Sequence, residues 1–205
     1  MKSLGRIRVI AILLLFIADA CSLFRPSPKK IVREFIESFK NLDSVKVFNL
    51  TAGDYNINNY FNNFRLSCYN GPDYEKIKEL ASLSLSRINY EIMGQTIEGS
   101  SATVRVKISG ISVYEIRTWR SEIDNEIFSK YIREHPIRPL IPLFLRVIPK
   151  LSDLERRRYD QIAYTEFKNK IVQSPINTSV LEIYLKKMNG SWIISKYSKI
   201  FDSYF

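Results

Sequence analysis

Early in the chain, apolar residues recur at helical spacing: Ile31, Val32, Phe35, Ile36, Phe39 and Leu42 fall on one face, with Arg33, Glu34, Glu37 and Lys40 elsewhere on the wheel. This predicts an amphipathic helix that begins near Pro28. Asp43-Ser44 can cap a second short helix carrying Val45 and Phe48, and Gly53 should end it. The Asn-rich stretch 54–64 has no clear period and reads as loop or short helix. Helical spacing returns over 73–85 through Ile77, Leu80, Ala81 and Leu85.

The period then shortens from about 3.6 to about 2. Residues 87–93 put Ile88, Tyr90 and Ile92 on one side. Residues 102–108 alternate Ala102, Val104, Val106 and Ile108 against Thr103, Arg105 and Lys107, as a half-buried antiparallel strand does. A further strand is expected over 111–119. Near the end, Leu181, Ile183 and Leu185 alternate with Glu182, Tyr184 and Lys186, Asn189-Gly190 supplies a tight turn, and Trp192 to Lys196 returns as the second arm of a hairpin. Between these sheet segments the signal is helical: Ser121 can cap a helix running to His135, Ile137 to Ile148 follow at helical spacing interrupted by Pro139 and Pro142, and 152–172 read as a charged helix. The fold class expected is α+β, an N-terminal helix packed in an antiparallel sheet, with a mainly helical insertion over about 120–178 before the last hairpin.

The N-terminus has a different character. Lys2, Arg6 and Arg8 precede an unbroken apolar run from Val9 to Ala18, followed by small residues and Cys21. That is the layout of a signal peptide over residues 1–20. The run spans about 15 Å as a helix, short of the roughly 30 Å of a bilayer core. Ala18-Asp19-Ala20 fits ordinary signal peptidase, while the surroundings of Cys21 resemble a bacterial lipobox, which makes Cys21 the candidate lipidation site. Two prolines in residues 21–29 mark a tether, leaving 30–205 as a single domain. The expected location is the outer face of the bacterial cytoplasmic membrane, anchored through lipid on Cys21; plain secretion is the alternative.

Charge sharpens this picture without choosing a ligand. The 205 residues carry a formal net charge of +10. Cleavage after Ala20 would remove three cations and Asp19, leaving the exported part about +8 and suited to anionic lipid or wall polymer. No recognised nucleic-acid motif accompanies the charge, and no nucleic acid is expected as partner. With Cys68 and Cys21 as the two cysteines, no disulfide framework is expected, and Cys68 reads as a small buried hydrophobe. One histidine, His135, stands beside Glu134, but sequence neighbours do not face each other on a helix, so His135 reads as a solvated helix end. No metal-ligand cluster, phosphate loop or nucleophile elbow is present, and no cofactor, metal or catalytic residue is expected. Arg156, Arg157 and Arg158 point in diverging directions on a helix. Arg138, Arg146 and Lys150 lie opposite the apolar stripe of 137–150, the pattern of a helix lying on a membrane surface, which makes them candidate membrane contacts.

Three segments, PKKIVREFIESFKNLD, INYEIMGQTIEGSSATVRVKI and LEIYLKKMNGSWIIS, together resemble the nuclear transport factor two-like superfamily, in particular its lumazine-binding-like bacterial lipoprotein branch. The resemblance implies a strongly curved sheet forming a cone around the N-terminal helix, with an apolar cavity that the helical insertion could cover or fill. Enzymes of that superfamily place Asp and Tyr inside the cone. Here the inward positions offer aliphatic side chains, and Tyr90 is the candidate for orienting a ligand. The function expected is a non-catalytic binding or interaction module of the cell envelope; the alternatives are a small-molecule enzyme with a Tyr/carboxylate site in the cone, or a purely structural envelope protein. Oligomeric state is left open.

Overall fold

The computed structural model describes residues 26–69, 71–135, 148, 151–197 and 204. Among them are six α-helices and a four-stranded antiparallel sheet. Helix α1 (Pro28–Lys40) begins where expected because Ser27 accepts the Lys30 N–H at 3.3 Å and Pro28 occupies the first turn, where its missing N–H costs nothing. Its face of Ile31, Val32, Phe35, Ile36 and Phe39 is buried. Asp43 caps α2 (Ser44–Leu50), and Gly53, at φ 86°, closes the turn after it by donating to the Phe48 carbonyl. The Asn-rich stretch holds α3 (Asn58–Phe61) and one 3-10 turn (Asn62–Phe64), followed by α4 (Tyr74–Ser86).

Strands β1 (Asn89–Glu98), β2 (Ser101–Gly110), β3 (Asn177–Met188) and β4 (Ser191–Tyr197) pair in that order, antiparallel throughout. Ala102, Val104, Val106 and Ile108 of β2 and Leu181, Ile183 and Leu185 of β3 form one buried face. Thr103, Arg105 and Lys107 occupy the other, with Glu182 and Tyr184 exposed beside them. Asn189 at φ 49° and Gly190 at φ 81° make the expected tight turn between β3 and β4. Helix α1 lies against β1, β2 and β4, antiparallel to β1: the Lys29 N–H donates to Gln95 Oε1 at 3.3 Å near one end, and Lys40 sits over the Tyr90 ring near the other. Strand β1 runs past residue 93 because its register shifts between Ile92 and Gly94. The extra residue, Met93, breaks the alternation, after which Gln95 and Ile97 pair with the inward Val104 and Ala102.

Residues 111–119 correct the sequence reading. No strand forms there; α5 (Val113–Glu134) begins instead, capped by Ser112 and not by Ser121. Ser112 accepts the Glu115 N–H, and the Glu115 carboxylate accepts the Ser112 N–H in return, a reciprocal box that saturates two otherwise orphaned donors. Alternation at Ile111 and Val113 resembles a strand over that short window, yet Val113, Ile116, Ile123, Ile127 and Tyr131 are the buried positions, at helical spacing. The helical stretch between β2 and β3 therefore opens at 113 instead of near 120. Helix α6 (Asp153–Gln173) starts with a second box, Ser152 with Glu155.

Helices α4, α5 and α6 pack as one layer continuous with the sheet core. Phe64 meets Phe167 of α6 edge-on, with centroids 5.6 Å apart, and Tyr60 bridges Phe39 of α1 to Phe64. Arg87, just past α4, donates to the carbonyls of Ile171, Val172 and Ser174, supplying a positive cap to the C-terminus of α6.

Candidate functional site

Three places could carry chemistry. The first is the inner face of the sheet. Val104, Val106, Ile108, Leu181 and Ile183 are wholly buried, packed in one continuous cluster with Phe35, Ile36 and Phe39 of α1. This face presents aliphatic carbon and no proton-transfer group, so an acid or base would have to come from its rim.

Tyr90 stands at that rim. It is half-buried on the inward side of β1, paired with Ile108, its hydroxyl toward the Glu37 carboxylate of α1. Burial first, then the hydrogen bond and negative charge of Glu37, push its hydroxyl up to about 12, while Arg33 acts in the opposite direction. The Lys40 ammonium lies 6.0 Å from the ring centroid. A protonated phenol beside an exposed carboxylate can orient a polar group. It is a poor general base, because a pKa of about 12 leaves almost no phenolate at neutral pH.

The third place lies where the C-terminus of α5 meets the N-terminus of α6. His135 is the C-cap residue of α5, its ring stacked on Tyr131 at 4.4 Å. Nδ1 lies 3.0 Å from the Tyr131 carbonyl and Nε2 2.8 Å from Glu155 Oε1. His135 is thus half-buried and paired across helices, in place of the solvated end expected, and its partner is Glu155 and not the adjacent Glu134. Glu134 instead accepts two bonds from the Arg158 guanidinium, at 3.2 and 3.0 Å, and one from the Tyr159 hydroxyl at 2.9 Å. The Ser152 hydroxyl and backbone N–H, with a smaller share from His135, hold Glu155 down at about 2. Both ring nitrogens face acceptor oxygens, and both carboxylates are engaged by donors. This network clamps two helix ends.

Beneath that clamp the loop 65–72 carries buried polar groups. The Cys68 N–H donates to Asp124 Oδ1 of α5 at 2.9 Å, and the thiol is buried, as expected, with its pKa raised by desolvation and then by Asp124. Asp160 of α6 is also buried, and desolvation raises its pKa. The Tyr69 hydroxyl faces the Asp160 carboxylate, whose charge adds to burial in raising the Tyr69 pKa, while the buried Tyr131 hydroxyl has no hydrogen-bond partner among the described residues. Gly71 is required here: a β-carbon at that position would overlap the Tyr69 ring and sit 2.6 Å from Asp160 Oδ1. The described residues include no group of three or more His, Cys, Asp or Glu able to hold a metal ion. An open groove of about 850 Å³ runs along α4, lined by Asn41, Lys76, Glu79 and Lys168 among others, with both charge signs and no enclosed floor.

Cys21, Arg138, Arg146 and Lys150 lie outside the described residues, so the structure brings none of the sequence-derived membrane candidates to a defined place. Of the Arg156–Arg158 run, Arg158 alone is engaged by Glu134, while Arg156 and Arg157 are exposed. The inter-helix clamp escaped the sequence reading because its pairs are 20 to 25 residues apart. The Ser-x-x-Glu spacing at 112–115 and 152–155 was the one local signal for where its helices start. Comparison with protein-family models, curated proteins and solved structures finds no match. Among the described residues, no helix is long and apolar enough to cross a membrane.

Proposed function

We propose that this chain is an exported, lipid-anchored and non-catalytic binding or interaction module of the bacterial cell envelope. The observation that carries the reading is the N-terminal run from Lys2 to Cys21, with basic residues, an apolar stretch and a cysteine directly after a small residue. Six residues, 22–27, then separate the candidate lipid site from the first helical residue, Pro28. Two acyl chains on Cys21 would anchor the domain durably, each buried methylene adding about 0.8 kcal/mol.

The same proposal takes the sheet to be curved around α1 in the manner of the nuclear transport factor two-like superfamily. Register shifts at Ile92/Gly94 in β1 and at Tyr184/Leu185 between β3 and β4 support it, because bulges bend and twist the strands that carry them. The aliphatic inner face supports binding or interaction over catalysis. The enzyme alternative has one foothold, the Tyr90–Glu37 pair, which sits at the rim with its carboxylate exposed.

The test is intact-mass analysis of the mature protein from cells grown with and without an inhibitor of lipoprotein signal peptidase. A diacylglyceryl-modified chain beginning at Cys21, lost on inhibition, is expected. A mature chain beginning with unmodified Cys21 would refute the anchor and leave secretion.

A further inference from the structure

Three structural features converge at one end of the sheet. The first turn of α1 points toward it, held by the Lys29 N–H to Oε1 of Gln95, three residues before the last residue of β1. The β1–β2 turn at Gly99–Ser100 and the β3–β4 turn at Asn189–Gly190 lie side by side, since the Lys187 N–H donates to the Ser100 carbonyl at 2.8 Å and Lys186 pairs with Ser101. The helical layer meets α1 toward its other end, through Phe35 and Phe39 on Tyr55 and Tyr60, so among the described residues this end is left to the strand tips.

The surface of these tips is basic and apolar together. Lys30, Lys186 and Lys187 are exposed and Lys29 is half-buried, while Glu98 is the one acid among the two turns and the first turn of α1. The strand ends carry exposed apolar groups on both faces: Ile97, 49% exposed, on the α1 side with Lys187, and Met188, 51% exposed, on the opposite side with Lys186, so an end-on approach meets both. The Lys187 ammonium stands 5.7 Å from the centroid of the Trp192 ring, which is itself nearly buried. Thioether and aliphatic carbon flanked by long, flexible cations is what a shallow contact with a lipid headgroup layer requires: the apolar groups leave water, and the ammonium groups reach phosphate.

We propose that this end of the domain, through Lys29, Lys30, Lys186, Lys187, Met188 and Ile97, is its docking surface for anionic phospholipid headgroups. The proposal rests on the reading of Cys21 as a lipid anchor. Cys21 is seven residues before Pro28, a reach of at most about 25 Å from the α1 N-terminus, which lies toward this end, so a lipid on Cys21 keeps the basic tips within reach of the bilayer. Four cations against one acid complement an anionic leaflet, and the attraction weakens as salt screens it.

The test uses the mature protein recovered from the producing cells, with its intact mass recorded, placed on phosphatidylglycerol or phosphatidylcholine vesicles and probed by lysine acetylation. On phosphatidylglycerol at low salt, modification of Lys29, Lys30, Lys186 and Lys187 should fall about fivefold relative to Lys78 and Lys168, and recover at high salt. No difference between these two groups of lysines overturns the proposal, as does protection that maps to Lys150 in place of the tips. If the mature chain carries no lipid, the anchor reading fails by its own measurement. Sedimentation of that chain with phosphatidylglycerol vesicles then decides the tips: retention that drops roughly 25-fold in K186Q/K187Q supports them, and absence of retention overturns them.

Discussion

Phe167→Ala asks whether the helices between β2 and β3 are an appendage or part of the core. Phe167 is fully buried on α6, and its ring meets Phe64 at 5.6 Å and 65°, two residues of one cluster that continues through Tyr60 and Phe39 to the sheet. Truncating such a ring leaves a cavity and costs about 3–5 kcal/mol. For a chain of this size each kcal/mol lowers Tm by about 2–4 °C, so the midpoint should fall by about 6–20 °C. Scanning calorimetry gives the shift, and the two tryptophans report location: Trp119 lies on α5 and Trp192 on β4, each isolated by replacing the other with Phe. Coincident transitions at both probes are expected, before and after the substitution. Val172→Ala, at a position 60% exposed on the same helix, should change stability by less than about 0.5 kcal/mol. A separate, earlier loss of the Trp119 signal with Trp192 unmoved would refute the single-core account, as would an unchanged Tm.

Ile183→Asp should abolish cooperative folding, because it buries a carboxylate between the wholly buried Val104 and the β4 strand, among aliphatic side chains; an unchanged thermal midpoint would contradict the assigned strand face. Ser112→Ala should lower the denaturant midpoint by the equivalent of about 0.5–2 kcal/mol, whereas Ser121→Ala, exposed inside α5, should be nearly silent; the reverse ranking would move the helix start back to 121. Glu155 has its carboxyl lowered from 4.5 to about 2 in the fold, so the stability it contributes is complete above about 4.5 and is lost as pH falls toward 2. Tm should therefore fall more steeply across that window in the native protein than in Glu155→Gln, and parallel curves would show that the His135–Ser152–Glu155 clamp contributes nothing.

What the sequence alone determined is local. The buried stripe of α1, the alternation of β2 and the Asn189-Gly190 hairpin are each set by residues within about a dozen positions, where period and turn chemistry state which face is apolar and where the chain reverses. Over 111–119 the same reading failed because a short apolar alternation fits either period; the Ser112–Glu115 box, also local, was the deciding signal. The tertiary structure decided whatever depends on distant partners. His135 faces Glu155, Cys68 docks on Asp124 and Arg87 caps α6, contacts that span 20, 56 and 84 residues. Tyr90 was read as inward-facing from alternation alone, but only folding could bring it beside Glu37 and make it a rim residue. The basic tips likewise join Lys29 and Lys30 to Lys186 and Lys187, which no window of sequence places together. They lie toward the same end of the sheet because α1 runs antiparallel to β1 and the pairing of Ser101 with Lys186 aligns the two turns.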